Sequence, residues 1–141
     1  MQRSATAVWK GSLKEGKGTL TTASATLSST PYSFVSRFEQ GAGTNPEELI
    51  AAAHAGCFSM ALSAQLGGAG LTPESIETLC TITLEKLESG FAITKSHLKV
   101  TAKIAGATRE TFEKLANAAK AGCPVSKLLT AQISMDASIE S

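Results

Sequence analysis

From Leu49 onward, apolar residues recur every third and fourth position: Leu49, Ala52, Ala53, Gly56, Cys57, Met60 and Ala61. That spacing describes one face of a helix. The opposite side, with Ile50, Ala51, Ala55 and Phe58, is scarcely more polar. A helix apolar nearly all round is buried, so residues 46–67 are expected to form the hub of the fold. Asn45 is a favoured N-cap, Pro46 suits the first helical position, and Glu47 and Glu48 sit where the helix dipole favours negative charge. Gly67, Gly68 and Gly70 supply the stop.

The period shortens to two on either side of this helix. Before it, residues 4–38 read as short strands: Ala5 to Lys10 up to Gly11, Thr19 to Ser24 after the Gly16-Lys17-Gly18 turn, and Tyr32 to Phe38 after Pro31. This region has too few large apolar residues for a core of its own and is expected to pack on something else, a second subunit included. After it, Ile76, Thr78, Cys80, Ile82 and Leu84 alternate with polar neighbours, as do Leu98, Val100, Ala102 and Ile104. Ser89-Gly90 between the runs predicts a long antiparallel hairpin over 75–105. Phe112, Leu115, Ala116 and Ala119 return to helical spacing, Pro124 restarts a short helix, and the helical stretch spans 108–129. Ile133 and Met135 suit a closing strand at 131–138. Strands, helix, hairpin, helices and strand in that order make an α+β fold, expected as one domain over 1–141.

Composition narrows the class. The chain is 43% apolar and 18% charged with a net charge of +1, and its Lys and Arg are dispersed. This fits a globular protein and argues against nucleic acid or an anionic membrane as the main partner. Residues Met1 to Lys10 lack a signal-peptide pattern, and Gln65, Thr72 and Pro73 are read as interrupting any bilayer-spanning run. The expected setting is the cytoplasm. Cysteines at 57, 80 and 123 show no CxxC spacing and suggest neither a secreted disulfide scaffold nor a zinc site.

The candidate chemistry lies in the cysteines. Cys57 and Cys123 each follow a glycine on the apolar face of a predicted helix. They read either as two small core hydrophobes or as a redox pair, one thiol attacking and the other resolving. A redox pair needs a nearby cation, because the thiolate is the nucleophile. Arg37 is the only arginine between residues 3 and 109; the commoner fate of such a residue is a solvated pair on a surface strand. Glu47 falls about 80° from Cys57 around the helix, whereas Glu48 faces the opposite side. Glu47 is therefore the better residue to orient an arginine, although both glutamates also serve as first-turn acids. His54, one turn before Cys57, reads as a nucleophile's base or as a histidine bonded within the packed helix. Cys80 reads as structural, and His97, on the Lys95, Lys99 and Lys103 side of its strand, as solvated.

Several motifs together resemble the OsmC branch of the OsmC/Ohr family of osmotically inducible and organic hydroperoxide resistance proteins. They are Ser36-Arg37-Phe38-Glu39, residues Gly43 to Leu49, Ala53-His54-Ala55-Gly56-Cys57-Phe58, Gly90 to Lys95, and Ala121-Gly122-Cys123-Pro124-Val125-Ser126. The likeness runs from about Val8-Trp9 to the C-terminus. It implies an OsmC-like fold, with antiparallel sheets around a buried central helix, and an intertwined homodimer. It also implies a thiol peroxidase that uses no metal, haem or flavin cofactor. Carried over residue by residue, Cys57 matches the peroxidatic cysteine, Cys123 the resolving cysteine, Arg37 the catalytic arginine and Glu47 the glutamate that holds it. The implied substrate is an organic hydroperoxide and the implied reductant a dithiol. The Ohr branch draws electrons from lipoylated proteins, so a lipoylated protein is one candidate.

On this reading Cys57 is oxidised to a sulfenic acid and Cys123 closes a disulfide that the dithiol reopens. Phe38, Phe58 and Phe91 are candidates for an apolar substrate entrance, or are simply core. Two rival functions are a Cys57-His54 thiol hydrolase and a non-enzymatic redox sensor.

Overall fold

The computed structural model describes residues Met1–Ser141 and resolves them into two compact units, Met1–Leu49 and Ile50–Ser141. Each unit carries one three-stranded sheet.

In the first unit, β1 (Ala5–Lys10), β2 (Lys17–Thr22) and β3 (Thr30–Tyr32) form an antiparallel sheet in chain order. Gly18 lies beneath the rings of Trp9 and Tyr32, whose centroids are 5.4 Å apart. A Cβ there would collide with Tyr32 and stand 2.7 Å from Trp9, so only glycine fits. The chain then departs from the expected strand over 32–38: Phe34–Phe38 is a short helix, α1. The cause is a capping box, in which the Ser36 amide donates to Ser33 Oγ at 3.2 Å and the Ser33 amide donates to Ser36 Oγ at 2.8 Å. Two serines three apart outweigh an alternating pattern only a few residues long.

The long helix α2 spans Pro46–Gly68, and its start is capped by Asn45, whose Oδ1 accepts from the Glu48 amide at 2.7 Å. It does not bury the face its spacing suggested. Ala52, Ala53, Gly56 and Met60 are exposed, Met60 at 77%, whereas His54, Phe58, Leu62 and Leu66 are fully enclosed. Burial follows area: Phe and Leu remove far more apolar surface from water than Ala and Gly, so the bulkier i, i+4 stripe turns inward. α2 is thus a one-sided core helix within this chain, not one buried on every side. With 23 residues and a mean hydropathy of 1.4, it is also long and apolar enough to cross a bilayer, contrary to the reading that polar residues interrupt it. Gln65 lies inside the helix without ending it, and α2's bulky stripe packs into the core of the second unit.

That second unit is built on β4 (Pro73–Leu87) and β5 (Gly90–Ile104), an antiparallel hairpin. Leu98, Val100, Ala102 and Ile104 of β5 point inward with strict alternation and meet Phe58, Leu62 and Leu66 of α2 in one core. Helix α3 (Arg109–Gly122), capped by Thr108, adds Phe112, Ala116 and Ala119. The short α4 (Pro124–Leu128) follows, then β6 (Gln132–Glu140). β6 pairs parallel to β5, so this sheet is mixed where an antiparallel one was expected. The α3–α4 crossover provides the physical reason: it returns the chain to the start of β5 before β6 begins.

Candidate active site

Three groups of polar and sulfur-bearing side chains stand out, one in the first unit and two in the second. In the first unit, α1 presents Arg37, and the first turn of α2 presents Glu47. Glu47 Oε1 accepts from Arg37 Nη2 at 2.8 Å and from Nε at 3.1 Å, while Oε2 lies 3.3 Å from Nε. A charge-assisted fork of this kind fixes the plane of the guanidinium as well as its position. Glu47 is buried, and Arg37 is partly exposed. Glu48 plays no part in the fork, because its carboxylate accepts from the Thr44 hydroxyl at 2.8 Å. The local scaffold is tight: the Ser36 hydroxyl donates to the Thr44 carbonyl at 2.8 Å, and Asn45 Nδ2 donates to the Ser36 carbonyl at 3.0 Å. Beside Arg37 opens a cavity of about 250 Å³ lined by Trp9, Leu13, Tyr32, Phe34 and Phe38.

In the second unit, Cys57 from α2 and Cys123 at the α3–α4 junction lie near enough to influence each other's ionisation. Cys57 is partly exposed, whereas Cys123 is fully enclosed. Burial, reinforced by Cys123, pushes the Cys57 thiol up, against the Val125 amide that favours its thiolate. Burial alone would raise Cys123 too. The Cys57 thiol, the Ser126 amide and hydroxyl, and the Val125 amide outweigh it and bring Cys123 below the ordinary thiol value. Cys123 makes no formal side-chain cap on α4, so these groups act on it through proximity and orientation. Of the two, Cys123 is the sulfur whose surroundings favour the thiolate and Cys57 the one whose surroundings oppose it. The difference arises because Cys123 gathers more donors.

Deeper in the same unit, His54 is fully buried, with Nδ1 2.6 Å from Ser96 Oγ and Nε2 2.8 Å from Ser126 Oγ. Burial holds it below its ordinary value, so the ring is neutral near pH 7. Both ring nitrogens are engaged by serine hydroxyls, and no hydrogen bond joins the ring to Cys57. Cys80, expected as structural, lies 3.3 Å from Ser96 Oγ, and burial raises its thiol.

A model of the OsmC-like protein family matches residues 39–138. The chain is 53% identical to peroxiredoxin OsmC of Escherichia coli (strain K12) over 133 residues, covering 94% of this chain and 93% of that protein.

The chain belongs to the OsmC-like family.

The same proportions hold for peroxiredoxin OsmC of Shigella flexneri. The crystal structure of the organic hydroperoxide resistance protein OhrB of Bacillus subtilis superposes with a TM-score of 0.69 at 25% identity, over 97% of this chain and 98% of that one. An OsmC-like protein from Vibrio cholerae shares the fold at a TM-score of 0.77 and 18% identity, over 97% and 99% of the two chains.

Among this family member's phenylalanines, Phe38 lines the cavity beside Arg37, but Phe58 is wholly core and Phe91 is exposed on the hairpin. Phe58 thus follows the alternative reading as core, and Trp9, Tyr32 and Phe34 line the cavity with Phe38. Ser96 and Ser126 were also missed. Ser96 had a detectable signal, being a polar residue in register with the inward face of β5. No group of three or more His, Cys, Asp or Glu side chains is arranged to hold a metal ion.

Proposed function

We propose that this protein is a thiol peroxidase that reduces organic hydroperoxides, with Cys57 as the attacking sulfur and Cys123 as the resolving one. The observation that carries this reading is the partnership of two sulfurs with unequal exposure. The accessible one is the sulfur a peroxide meets, and the enclosed one waits behind it. The 53% identity to a peroxiredoxin and the likeness to an organic hydroperoxide resistance protein support it independently.

Loss of the Cys57 proton leaves the charge on its sulfur. We assign Arg37, held by Glu47, the role of the family's catalytic arginine, a cation that would favour a thiolate and offer donors to peroxide oxygens. The Cys57 thiolate attacks the terminal oxygen; an S–O bond forms, the O–O bond breaks, and the alkoxide leaves as an alcohol once protonated. Cys57 is then a sulfenic acid. Cys123 attacks that sulfur, the S–S bond forms, and hydroxide leaves and becomes water. An external dithiol returns both thiols and is itself oxidised to a disulfide; a lipoylated protein fits this role. The apolar cavity beside Arg37 suits an alkyl or aryl peroxide better than hydrogen peroxide.

The protein acts as a homodimer in the cytoplasm. The exposed small-residue face of α2 and Met60 support the first statement, and free thiols, which suit a reducing compartment, the second.

The test follows cumene hydroperoxide loss with dithiothreitol for the native protein, Cys57→Ser, Cys123→Ser and Arg37→Ala. Multiple turnovers that vanish in Cys57→Ser, with sulfenic acid accumulating in Cys123→Ser, are expected. Consumption that stops at one peroxide per chain would replace the peroxidase with a sensor.

A further inference from the structure

The stripe that anchors α2 in its core reads His54, Phe58, Leu62, Leu66, and all four are fully buried. An imidazole in the first place of an otherwise hydrophobic series costs desolvation that a leucine would avoid. It is tolerated because both nitrogens are bonded, each by a serine from a different element: Ser96 of β5 and Ser126 of α4. Both serines are buried as well. Ser96 Oγ also lies 3.3 Å from the Cys80 sulfur, and Ser126, three residues after Cys123 on α4, is among the groups that favour the Cys123 thiolate. Three elements and two cysteines thus converge on one ring.

A neutral imidazole has a single N–H, so the chain of bonds has two possible directions. With hydrogen on Nδ1, the ring donates to Ser96, Nε2 takes the Ser126 hydroxyl proton, and Cys123 loses that donor. With hydrogen on Nε2, the ring donates to Ser126, whose own proton is then free for Cys123. Ser96 in turn donates to Nδ1 and accepts from the Cys80 thiol. The second arrangement ends on Cys123, whose thiolate, the form that attacks, accepts a charge-assisted and stronger hydrogen bond. The first ends on Cys80, which burial keeps protonated and which gains little from a donor.

We propose that Ser96, His54 and Ser126 form a one-way buried hydrogen-bond chain that aims the Ser126 hydroxyl at Cys123 and so readies Cys123 to attack the oxidised Cys57. The proposal rests on the reading of Cys123 as the resolving thiol. His54 and Ser126 are positioning residues: they act on the closing step through Cys123 and do not touch the peroxide. The other titratable groups in the cluster are Cys57 of α2 and Cys80 of β4.

Nitrogen-15 NMR of the reduced native protein tests the direction with no substitution in the cluster; a His97→Asn control assigns the only other histidine. Hydrogen on Nε2 of a neutral His54 is expected, and hydrogen on Nδ1 would overturn the proposal. The consequence is tested by pulsing reduced protein with cumene hydroperoxide and timing the two steps, sulfenic acid formation with a trapping probe and disulfide closure by mass. In Ser126→Ala, closure should slow about tenfold relative to the oxidation step, and Ser126→Thr should recover most of it. An unchanged ratio in Ser126→Ala would overturn the proposal. If native Cys57 is never oxidised, the peroxidase reading fails instead, and the tautomer still decides the direction of the chain.

Discussion

Glu47 accepts from Nε and Nη2 of Arg37, ten residues back in sequence, at 3.1 and 2.8 Å. Nη1 takes no part in the fork. A side-on grip of this kind orients a guanidinium that a single contact would leave free to swing.

Loss of that grip should show in turnover more than in folding. Arg37→Ala is expected to lower the rate of cumene hydroperoxide reduction by about 10- to 100-fold, the range for one to two charge-assisted hydrogen bonds. Arg37→Lys should recover little, because an ammonium cannot form the fork. Glu47→Gln should fall between native and Arg37→Ala. Steady-state kinetics decide the matter, and native rates in Arg37→Ala would remove Arg37 from the mechanism.

Stability should depend on pH through His54. Burial holds the folded imidazole below its ordinary value of 6.5. The unfolded chain therefore takes up a proton near that pH which the folded chain refuses, and the unfolding free energy rises with pH. The stabilisation is complete above 6.5 and is lost as pH falls toward the folded value, at no more than about 1.4 kcal/mol per pH unit. Urea unfolding of the native protein and His54→Gln across the acid range measures this, and parallel curves for the two would contradict it.

The two faces of α2 should respond differently to truncation. Phe58 is fully enclosed, so Phe58→Ala should cost about 3–5 kcal/mol. Met60, 77% exposed, touches little in this chain, and Met60→Ala should leave a monomer's stability nearly unchanged. If the homodimer buries that face, Met60→Asp will instead shift the molecular mass toward the monomer, as read by light scattering. Native mass in Met60→Asp, with folding intact, would place the partner surface elsewhere.

Gly18→Ala should strain the first unit. The added methyl meets the rings of Tyr32 and Trp9, and overpacking of this sort costs about 1–3 kcal/mol. Near-ultraviolet circular dichroism, dominated by the single Trp and single Tyr, reports it directly. An unchanged spectrum and melting point would show that the rings part freely.

Legibility in the sequence was uneven, and the reasons are physical. The choice between Glu47 and Glu48 came from helix geometry, and it is Glu47 that holds Arg37. The alternation of β5 was equally plain, because period two over many residues has few competitors. The buried face of α2 was misread because Ala and Gly were counted alongside Leu and Phe, although area, not number, decides which side turns inward. Residues 34–38 became helix because a reciprocal serine cap is a stronger local signal than brief alternation. Ser126 was visible only as the last residue of a family motif, and its bond to His54 was not, because α4 brings together residues 72 apart.

The place of His54 in the Phe58, Leu62, Leu66 row has a mechanical result. The imidazole rides on the same axle as the core, so a repacking that rolls α2 by a few degrees moves the ring away from both serines at once. Efforts to make this protein sturdier by refilling its interior will part the imidazole from both serines unless they leave that row in line.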